Sequence, residues 1–324
     1  MTTEPIYIDN SMLSTVAECS TEAVLRHVLQ YDSREETAHL KAGSAIHEAL
    51  RVWFEGGSLV DALQKFSEDY EEWASENNPE ERLSHSNVKI ILQNWLETHP
   101  VNSFPFRPVK ELVEVGFSYP LDDYGEFVLV GRIDLGVYDL REDAMFVVDH
   151  KTTGSINQYW AKQFRLASGL SGYMWALQQY LTQGNVVGAY INAIQLSKLP
   201  SDPTRKCKDH AVPYVECGPL HAKAELLGPF YRTPAQIAEW RRTAIFLAKK
   251  YKALLEMYGD PSKLSKVRMQ GMFNGACRFC AFYDFCQQAR DVKFIDSLLV
   301  KNKWEPFEGA RTGDLGFGVH TINQ

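Results

Sequence analysis

Six cysteines in 324 residues are too few for a disulfide scaffold. Nowhere does the chain approach the ~18 uninterrupted apolar residues of a membrane-spanning helix. Met1-Thr2-Thr3-Glu4-Pro5 also lacks the basic stretch and apolar run of an export signal, so a protein of the cell interior without a membrane partner is expected. Positive charge is not in excess either. Lysine plus arginine number 34 against 41 aspartates and glutamates, a net charge of -7. Adhesion to polyphosphate through bulk charge is therefore excluded, and any contact with nucleic acid must come from a local patch. There is no internal repeat and no low-complexity tract. What is present is the mixture of an ordinary globular protein, 45% hydrophobic, 12% aromatic and 23% charged, enough for one large domain or two ordinary ones.

Apolar spacing near 3.6 residues predicts helices over roughly 10–30, 36–55, 58–77 and 80–98, so the first hundred residues read as helical. Gly56-Gly57, Asn78-Pro79 and His99-Pro100 punctuate them, because glycine frees the backbone and proline disfavours helix at the residue before it. After Pro108 the period falls to 2 in Val109 to Tyr119, Phe127 to Tyr138 and Met145 to Thr152, which predicts three successive strands. An amphipathic helix from about Gln158 to Thr182 follows, then a strand over Val186 to Leu196 and a polar loop at roughly 201–212. Strand-like pieces near Tyr214 and Leu226 precede a long helix, Pro234 to Tyr258. The order is that of an α/β chain. The basic residues of the last helix, Arg241, Arg242, Lys249, Lys250 and Lys252, read as a solvated face, and Pro306 to Gln324 as a loosely held tail.

Two segments carry the chemistry, Gly131-Arg132-Ile133-Asp134 and Val147-Val148-Asp149-His150-Lys151-Thr152-Thr153. Counting outwards from a hairpin turn between Arg141 and Glu142 sets Asp134 opposite Asp149. Opposed residues share a sheet face, as do residues two apart, so Asp134, Asp149 and Lys151 should project together. Like charges in opposition destabilise a sheet, and this pair calls for the lysine, a divalent cation or both. Exposed acids beside a turn would be the plainer reading. The apolar neighbours Val128, Leu129, Val130, Ile133, Val147 and Val148 speak instead for a sheet covered on both faces.

G-x-x-D followed by two apolar residues and D-x-K resembles the PD-(D/E)XK nuclease superfamily, and its RecB-like exonuclease branch in particular. That branch carries G-x-x-x-H on an upstream helix, matched here by Gly43-Ser44-Ala45-Ile46-His47, with the glycine one turn before the imidazole. Alone, a helical histidine beside Ile46, Leu50 and Trp53 reads as a packed core residue. The resemblance implies a restriction-endonuclease-like core, a central mixed sheet flanked by helices. It further implies a divalent cation, Mg2+ or Mn2+, held by His47, Asp134, Asp149 and the His150 carbonyl, with Lys151 assisting the water and the developing charge. A nitrogen ligand favours manganese. The same resemblance offers Glu114, in Val113-Glu114-Val115-Gly116-Phe117, as a strand acid near the metal; by strand pattern alone it is an outward residue. The family's Q-x-x-x-Y is matched at Tyr173, but the glutamine position holds Gly169. In a continuous helix at about 100° per residue, Gln163 and Arg165 both fall off the face of Tyr173, although the Arg165 guanidinium could reach a phosphate. Tyr173 and Arg165 are the candidate DNA contacts.

Cys277, Cys280 and Cys286 read C-x2-C-x5-C. Three thiolates are one short of a four-ligand centre, and Cys19 is the natural fourth. The nuclease branch includes members, the AddB subunits and CRISPR-associated exonucleases, with one far-upstream cysteine and this downstream spacing. That implies a structural [4Fe-4S] cluster on Cys19, Cys277, Cys280 and Cys286, with zinc as the alternative occupant. Iron-sulfur DNA glycosylases share the three-cysteine spacing but place their first cysteine a short way upstream, where this chain has none. Cys207, His210, Cys217 and His221 spell a second zinc pattern, discounted as a chance combination in a polar stretch.

These readings divide the chain into a helical region carrying Cys19 and His47 (1–104), a nuclease core (105–232), a long helix with the iron-sulfur segment (233–296) and a C-terminal tail (297–324). The expected activity is a metal-dependent DNA exonuclease acting on single strands or duplex ends. A cytoplasmic protein of bacterial, archaeal or viral origin is expected, working with a helicase, integrase or recombination partner. The alternative is a non-catalytic DNA-end-binding or assembly subunit with the same fold; binding alone would not require Lys151 and both aspartates.

Overall fold

The computed structural model describes residues 4–34, 37–181, 184–198, 206, 211–213 and 223–304. The strand-like piece at Tyr214, the residues Cys207, His210, Cys217 and His221, and the tail Pro306 to Gln324 lie outside the described residues. Among the described residues no helix is long and apolar enough to cross a membrane.

Asp9 starts the first helix, its carboxylate accepting from the Met12 N–H at 2.7 Å and so satisfying an amide that the helix cannot. This helix, α1 (Asn10–Glu18), stops at Cys19, whose backbone is extended; the chain resumes as α2 (Ser20–Ala23) and a π-helical turn over Val24–Val28. The single helix expected over 10–30 is thus broken, with Cys19 at the break. Two strands also depart from the all-helical reading, β1 (Ile6–Ile8) and β2 (Tyr31–Ser33). Three residues are too few to show a period, and these strands exist because distant strands pair with them. The next helices follow expectation: α3 (Ala38–Phe54), α4 (Leu59–Asn77) and α5 (His85–Thr98). Ser58 and Asp61 form a reciprocal capping box at the start of α4, and Asn78 ends it in the left-handed conformation that asparagine tolerates.

Strands β3 (Arg107–Pro120), β4 (Phe127–Asp139) and β5 (Ala144–Thr153) form the expected antiparallel meander. Asp139 anchors the β4–β5 turn by accepting from the N–H groups of Arg141 and Glu142. Leu135 pairs with Val148 and Asp139 with Ala144, the register counted from that turn. Strand β6 (Val186–Gln195) runs parallel to β5, and β7 (Ala224–Tyr231) antiparallel to β6. The sheet is mixed, in the order β1-β4-β5-β6-β7, with β3 on the other edge of β4. Between β5 and β6 the expected single helix is two: α6 (Gln158–Lys162), a 3-10 turn over Gln163–Leu166, an extended Ala167, then α7 (Ser168–Tyr180). Helix α8 (Pro234–Tyr258) begins at a capping box of Thr233 and Gln236. Finally β8 (Leu299–Lys301) pairs antiparallel with β2, tying the end of the described chain to its beginning.

Helices cover both faces of the sheet. Met12, Met174, Leu177 and Tyr251 pack against Phe117, Leu129, Val147 and Ile191 on one face. Ile46, Leu50 and Trp95 pack against Val137, Phe146, Val148 and Tyr190 on the other. Val147 thus enters one layer and Phe146 and Val148 the other, the alternation of a strand buried on both sides.

Strands β3 and β4 break this alternation at one place. Val113 packs with the α3–α5 layer, yet Val115 and Phe117 pack with the opposite one; Leu135 and Ile133 divide in the same way. Residues two apart on a regular strand share a face, so each strand inverts between them, at Glu114 and at Asp134. Glu114 has a left-handed backbone (φ 48°), and by the flanking pairs Val113–Leu135 and Val115–Ile133 it stands opposite Asp134. Strand β4 also changes partner here. Its edge pairs with β1 over Phe127–Leu129 and with β5 from Leu135 onward, and the ladder is interrupted between. The sheet is open where its acids stand. The glycine of G-x-x-D has its own reason: a Cβ on Gly131 would lie 2.7 Å from the Phe117 ring that covers it.

Candidate metal centre

Helix α3 crosses the open point of the sheet. A Cβ on Gly43 would stand 3.3 Å from Thr152 Oγ1, so a bulkier residue would press the helix away from β5. One turn later His47 reaches the acids. Its Nε2 donates to the His150 carbonyl at 3.1 Å, which leaves Nδ1 facing Glu114 Oε1 at 3.4 Å and Asp134 Oδ2 at 3.6 Å. One ligating atom from each of His47, Glu114 and Asp134 lies within 4.8 Å of the other two. Asp134 Oδ2 also accepts from the His150 N–H at 2.7 Å, replacing the ladder carbonyl where β4 and β5 part.

Burial opposes a charged His47, but the carboxylates of Asp134 and Glu114 outweigh it and raise the imidazole pKa to about 9. Asp149 stands beside this trio and is bound to Lys151, whose Nζ donates to Oδ1 at 2.7 Å. Burial, with the charge of Asp134 adding to it, lifts Asp149 to about 6 in spite of that ammonium. Desolvation pulls Lys151 down, yet Asp149 and then Asp134 more than offset it and hold the amine above its ordinary value. Lys151 is therefore a cation and a donor, not a base.

Glu114 Oε1 is buried and, apart from His47 Nδ1 at 3.4 Å, has no polar partner, while Arg132 lies 3.9 Å from the other oxygen. A buried carboxylate oxygen left over between an imidazole nitrogen and a second carboxylate fits a cation. The nitrogen and oxygen donors suit Mn2+ or Mg2+. The His150 ring points elsewhere: Nδ1 accepts from Asn192 Nδ2 at 2.9 Å, the ring stacks on Phe54, and burial keeps it neutral, far below the ordinary histidine pKa. Its backbone N–H and carbonyl face the centre, and its ring meets the His47 ring edge-on, 5.7 Å between centroids. Above lies a cleft of 430 Å3 lined by Gly43, His47, Glu114, Arg132, Lys151 and Thr152.

A family model for the PD-(D/E)XK nuclease superfamily matches residues 10–287, a span holding every residue of this centre. The chain belongs to the PD-(D/E)XK nuclease superfamily. Membership implies a metal-dependent nuclease with DNA as its substrate. Among solved structures similar to it is the crystal structure of SSO0001, 15% identical, which covers 85% of this chain and 94% of that one at a TM-score of 0.32. No curated protein matches the chain.

In this PD-(D/E)XK chain the candidate residues gather unequally. Glu114, outward by strand pattern, is 7% exposed and faces His47, because its left-handed backbone turns the side chain inward. Tyr173 packs edge-on against Phe117, and burial, with the charges of Asp149 and Asp134 adding, raises its hydroxyl pKa well above the usual range. Arg165 is exposed on the 3-10 turn ahead of the extended Ala167. The helical-face count that related Arg165 and Gln163 to Tyr173 therefore does not apply. Gly169 lies in α7 one turn before Tyr173, and a Cβ there would meet nothing within 4 Å. Arg132, Asn192 and Phe54 received no role from sequence. Arg132 alone had a signal, two residues before Asp134 on a strand. Asn192 and Phe54 reach His150 from separate elements.

The cysteines meet where the segment after α1 joins the segment around Gly271. A Cβ on Gly271 would stand 3.1 Å from Cys277 Sγ and 3.5 Å from Cys19 Sγ. Ser20 N–H donates to Gln270 Oε1 and Thr21 N–H to the Arg268 carbonyl, so the break after α1 is bonded to the C-terminal segment. Cys19, Cys277, Cys280 and Cys286 are free thiols. Burial pushes Cys286 up to about 11, with the charges of Cys19 and Cys277 adding; it pushes Cys280 up to about 12, with Glu22 and Cys286 adding. Thiols so costly to ionise alone become ligands when a metal supplies the compensating charge, and the missing side chain of Gly271 keeps the two sulfurs beside it uncrowded.

Proposed function

We propose that this chain is an exonuclease of the RecB-like branch, removing nucleotides from single-stranded DNA or duplex ends with Mg2+ or Mn2+. A [4Fe-4S] cluster on Cys19, Cys277, Cys280 and Cys286 would hold its frame together. The observation that carries the reading is Glu114 Oε1, a buried carboxylate oxygen whose one polar neighbour is His47 Nδ1, set between His47 and Asp134 with the Asp149–Lys151 pair alongside. The exonuclease branch is supported by the G-x-x-x-H of α3 and by the meeting of the upstream and downstream cysteines.

His47, Glu114, Asp134 and Asp149 would hold the divalent ion. When bound, it supplies Lewis-acid polarisation of a phosphoryl oxygen and a lowered pKa for water. The protein's own groups do the positioning. The His150 carbonyl fixes His47 Nε2 and so presents Nδ1, while the His150 N–H orients Asp134. Asn192 and Phe54 hold the His150 ring behind them. Lys151, kept protonated by Asp149, places an ammonium where negative charge develops on the phosphate. Arg132 on the cleft wall is placed to pair with a phosphate, and Tyr173 and Arg165 are the further DNA contacts of this reading.

End-labelled single- and double-stranded DNA, incubated with anaerobically purified protein and Mn2+, Mg2+ or EDTA, tests the proposal beside Asp134→Ala. Mononucleotide release that needs metal and disappears in the variant is the expected result. Cuts in circular single strands would overturn the exonuclease assignment. No cleavage by protein carrying a full brown cluster would overturn the catalytic reading in favour of a binding subunit.

A further inference from the structure

On the sheet face opposite α3, a cavity of 540 Å3 opens between α7, the start of β6 and the start of α8. It shares no residue with the cleft over the metal centre. Its walls are apolar, with Met174 and Trp175 on α7, Val187 on β6, and Ile237 and Ala238 on α8. No acid lines it. Residues 182 and 183, which fall in sequence between α7 and β6 and lie outside the described residues, are threonine and glutamine and carry no charge.

One buried guanidinium supplies the charge. Where β7 ends, the Arg232 N–H donates to the Val187 carbonyl at 3.1 Å, which fixes the residue between the sheet and Thr233, the cap of α8. Arg232 is 8% exposed. Its Nε donates to Ser171 Oγ at 3.2 Å, Nη1 to the Tyr231 carbonyl at 2.9 Å and Nη2 to the Phe164 carbonyl at 3.4 Å. All three acceptors are neutral. A guanidinium has five N–H donors, so one is left on each terminal nitrogen. Among the described residues no carboxylate pairs with it, and burial pulls its pKa below the ordinary arginine value with nothing to offset the loss. The other cation of the wall, Arg241, is already held by Asp123 and the Leu121 carbonyl. The positive end of α8 adds to the imbalance, because its first turn contains no acid.

We infer that this cavity binds a small apolar carboxylate, its two oxygens on the remaining terminal N–H groups of Arg232 and its body against Trp175 and Ile237. A buried guanidinium without a counter-charge is costly, and an ionised carboxylate is the partner its fork matches. Mostly apolar walls with one placed polar group, in a volume of roughly 300–1,000 Å3, are the usual make-up of a small-molecule site. A phosphomonoester, with a second charge and a third oxygen, would find one fork where it needs more donors. Such a site would work whether or not the metal centre cleaves DNA.

Isothermal titration calorimetry and thermal melts of the full chain with octanoate, 2-naphthoate, 2-naphthamide and 2-naphthyl phosphate test the site. The proteins are wild type, Arg232→Met and Ala238→Trp. Both acids should saturate the wild type at one site and raise its melting temperature, as a ligand of the folded state alone does. The neutral amide should bind about ten- to a hundredfold more weakly than 2-naphthoate, the worth of hydrogen bonds to a charged group, and Arg232→Met should lose the same factor for the acids. Should that variant fail to fold, Ala238→Trp decides. Ala238 is exposed on α8, and an indole there fills the cavity while leaving Arg232 in place, so this variant should bind neither acid. Equal affinity for amide and acid overturns the anion site, and tighter binding of the phosphate ester overturns the carboxylate head. Unaltered binding by either variant puts the acids elsewhere on the protein and overturns the cavity. No saturable binding of either acid by the wild type at millimolar concentration overturns the site altogether.

Discussion

Lys151 and Asp149 show how one side-chain pair divides its work. The ammonium keeps a buried carboxylate ionised that burial would otherwise protonate, and the carboxylate keeps the ammonium from becoming a base. Lys151→Ala should therefore retain the fold and bind Mn2+, yet cleave about 10²–10³-fold more slowly, as when a donor to a developing negative charge is removed. Single-turnover cleavage beside calorimetric Mn2+ binding checks this, and equal cleavage rates in the two proteins would remove Lys151 from the mechanism. Gly169 supplies a test in the opposite direction. The space around it admits a side chain one turn before Tyr173. Gly169→Gln should stabilise α7 by about 0.5–1 kcal/mol and tighten binding of single-stranded DNA. A higher melting temperature with unchanged affinity would show that an amide there is not read by the substrate.

The π-helical turn Val24–Val28 carries a buried base. His27 is 8% exposed, its Nε2 has no hydrogen-bond partner, and burial, with the Arg26 charge adding, lowers its pKa to about 4. Above about pH 6.5 the ring is neutral in both folded and unfolded chains and contributes no pH dependence. Below that, the unfolded chain takes up a proton that the folded one refuses, so stability falls as pH drops from about 6.5 toward 4, by up to roughly 3 kcal/mol. His27→Gln should flatten this part of the profile. Urea unfolding at pH 7 and pH 4.5 measures it, and the same loss in both proteins would assign the acid sensitivity elsewhere. The turn's carbonyl at His27 also accepts from Tyr251 of α8, so its loosening reaches the helix across it.

Across the described residues the early and late segments of the chain hold each other. Strand β2 pairs with β8, the Cys19 break bonds to Gln270 and Arg268, and Cys19 meets Cys277 beside Gly271. The proposed cluster would bridge these segments and close a loop of most of the chain, a constraint on the unfolded state worth on the order of 5 kcal/mol by cross-link entropy. Cys19→Ser and Cys286→Ala should each lose the visible absorption and lower stability by similar amounts, and the double variant should be little worse than either. Anaerobic thermal melts with absorption spectra test this. Additive losses would mean that the two cysteines do not serve one centre.

Long periodic segments were legible in the sequence: α3, α4, α5 and α8 lie where apolar spacing puts them, and the β4–β5 register follows from counting about a turn that Asp139 anchors. Strand pairing named Asp134, Asp149 and Lys151 as candidates, because opposed residues and residues two apart on a strand share a face in any regular sheet, whereas His47 came only from the resemblance to the nuclease family. Tertiary structure decided what regularity cannot carry. Strands β1, β2 and β8 have three residues each and depend on partners far along the chain. The breaks at Cys19 and Ala167 interrupt apolar patterns that read as continuous. Glu114 turned inward through a left-handed backbone and joined His47 and Asp134, while Asp149 beside them took the lysine. Periodicity describes one element at a time. Which carboxylate meets which partner depends on how closely α3 approaches β5 at Gly43, and on burial charges that act only when the layers have closed.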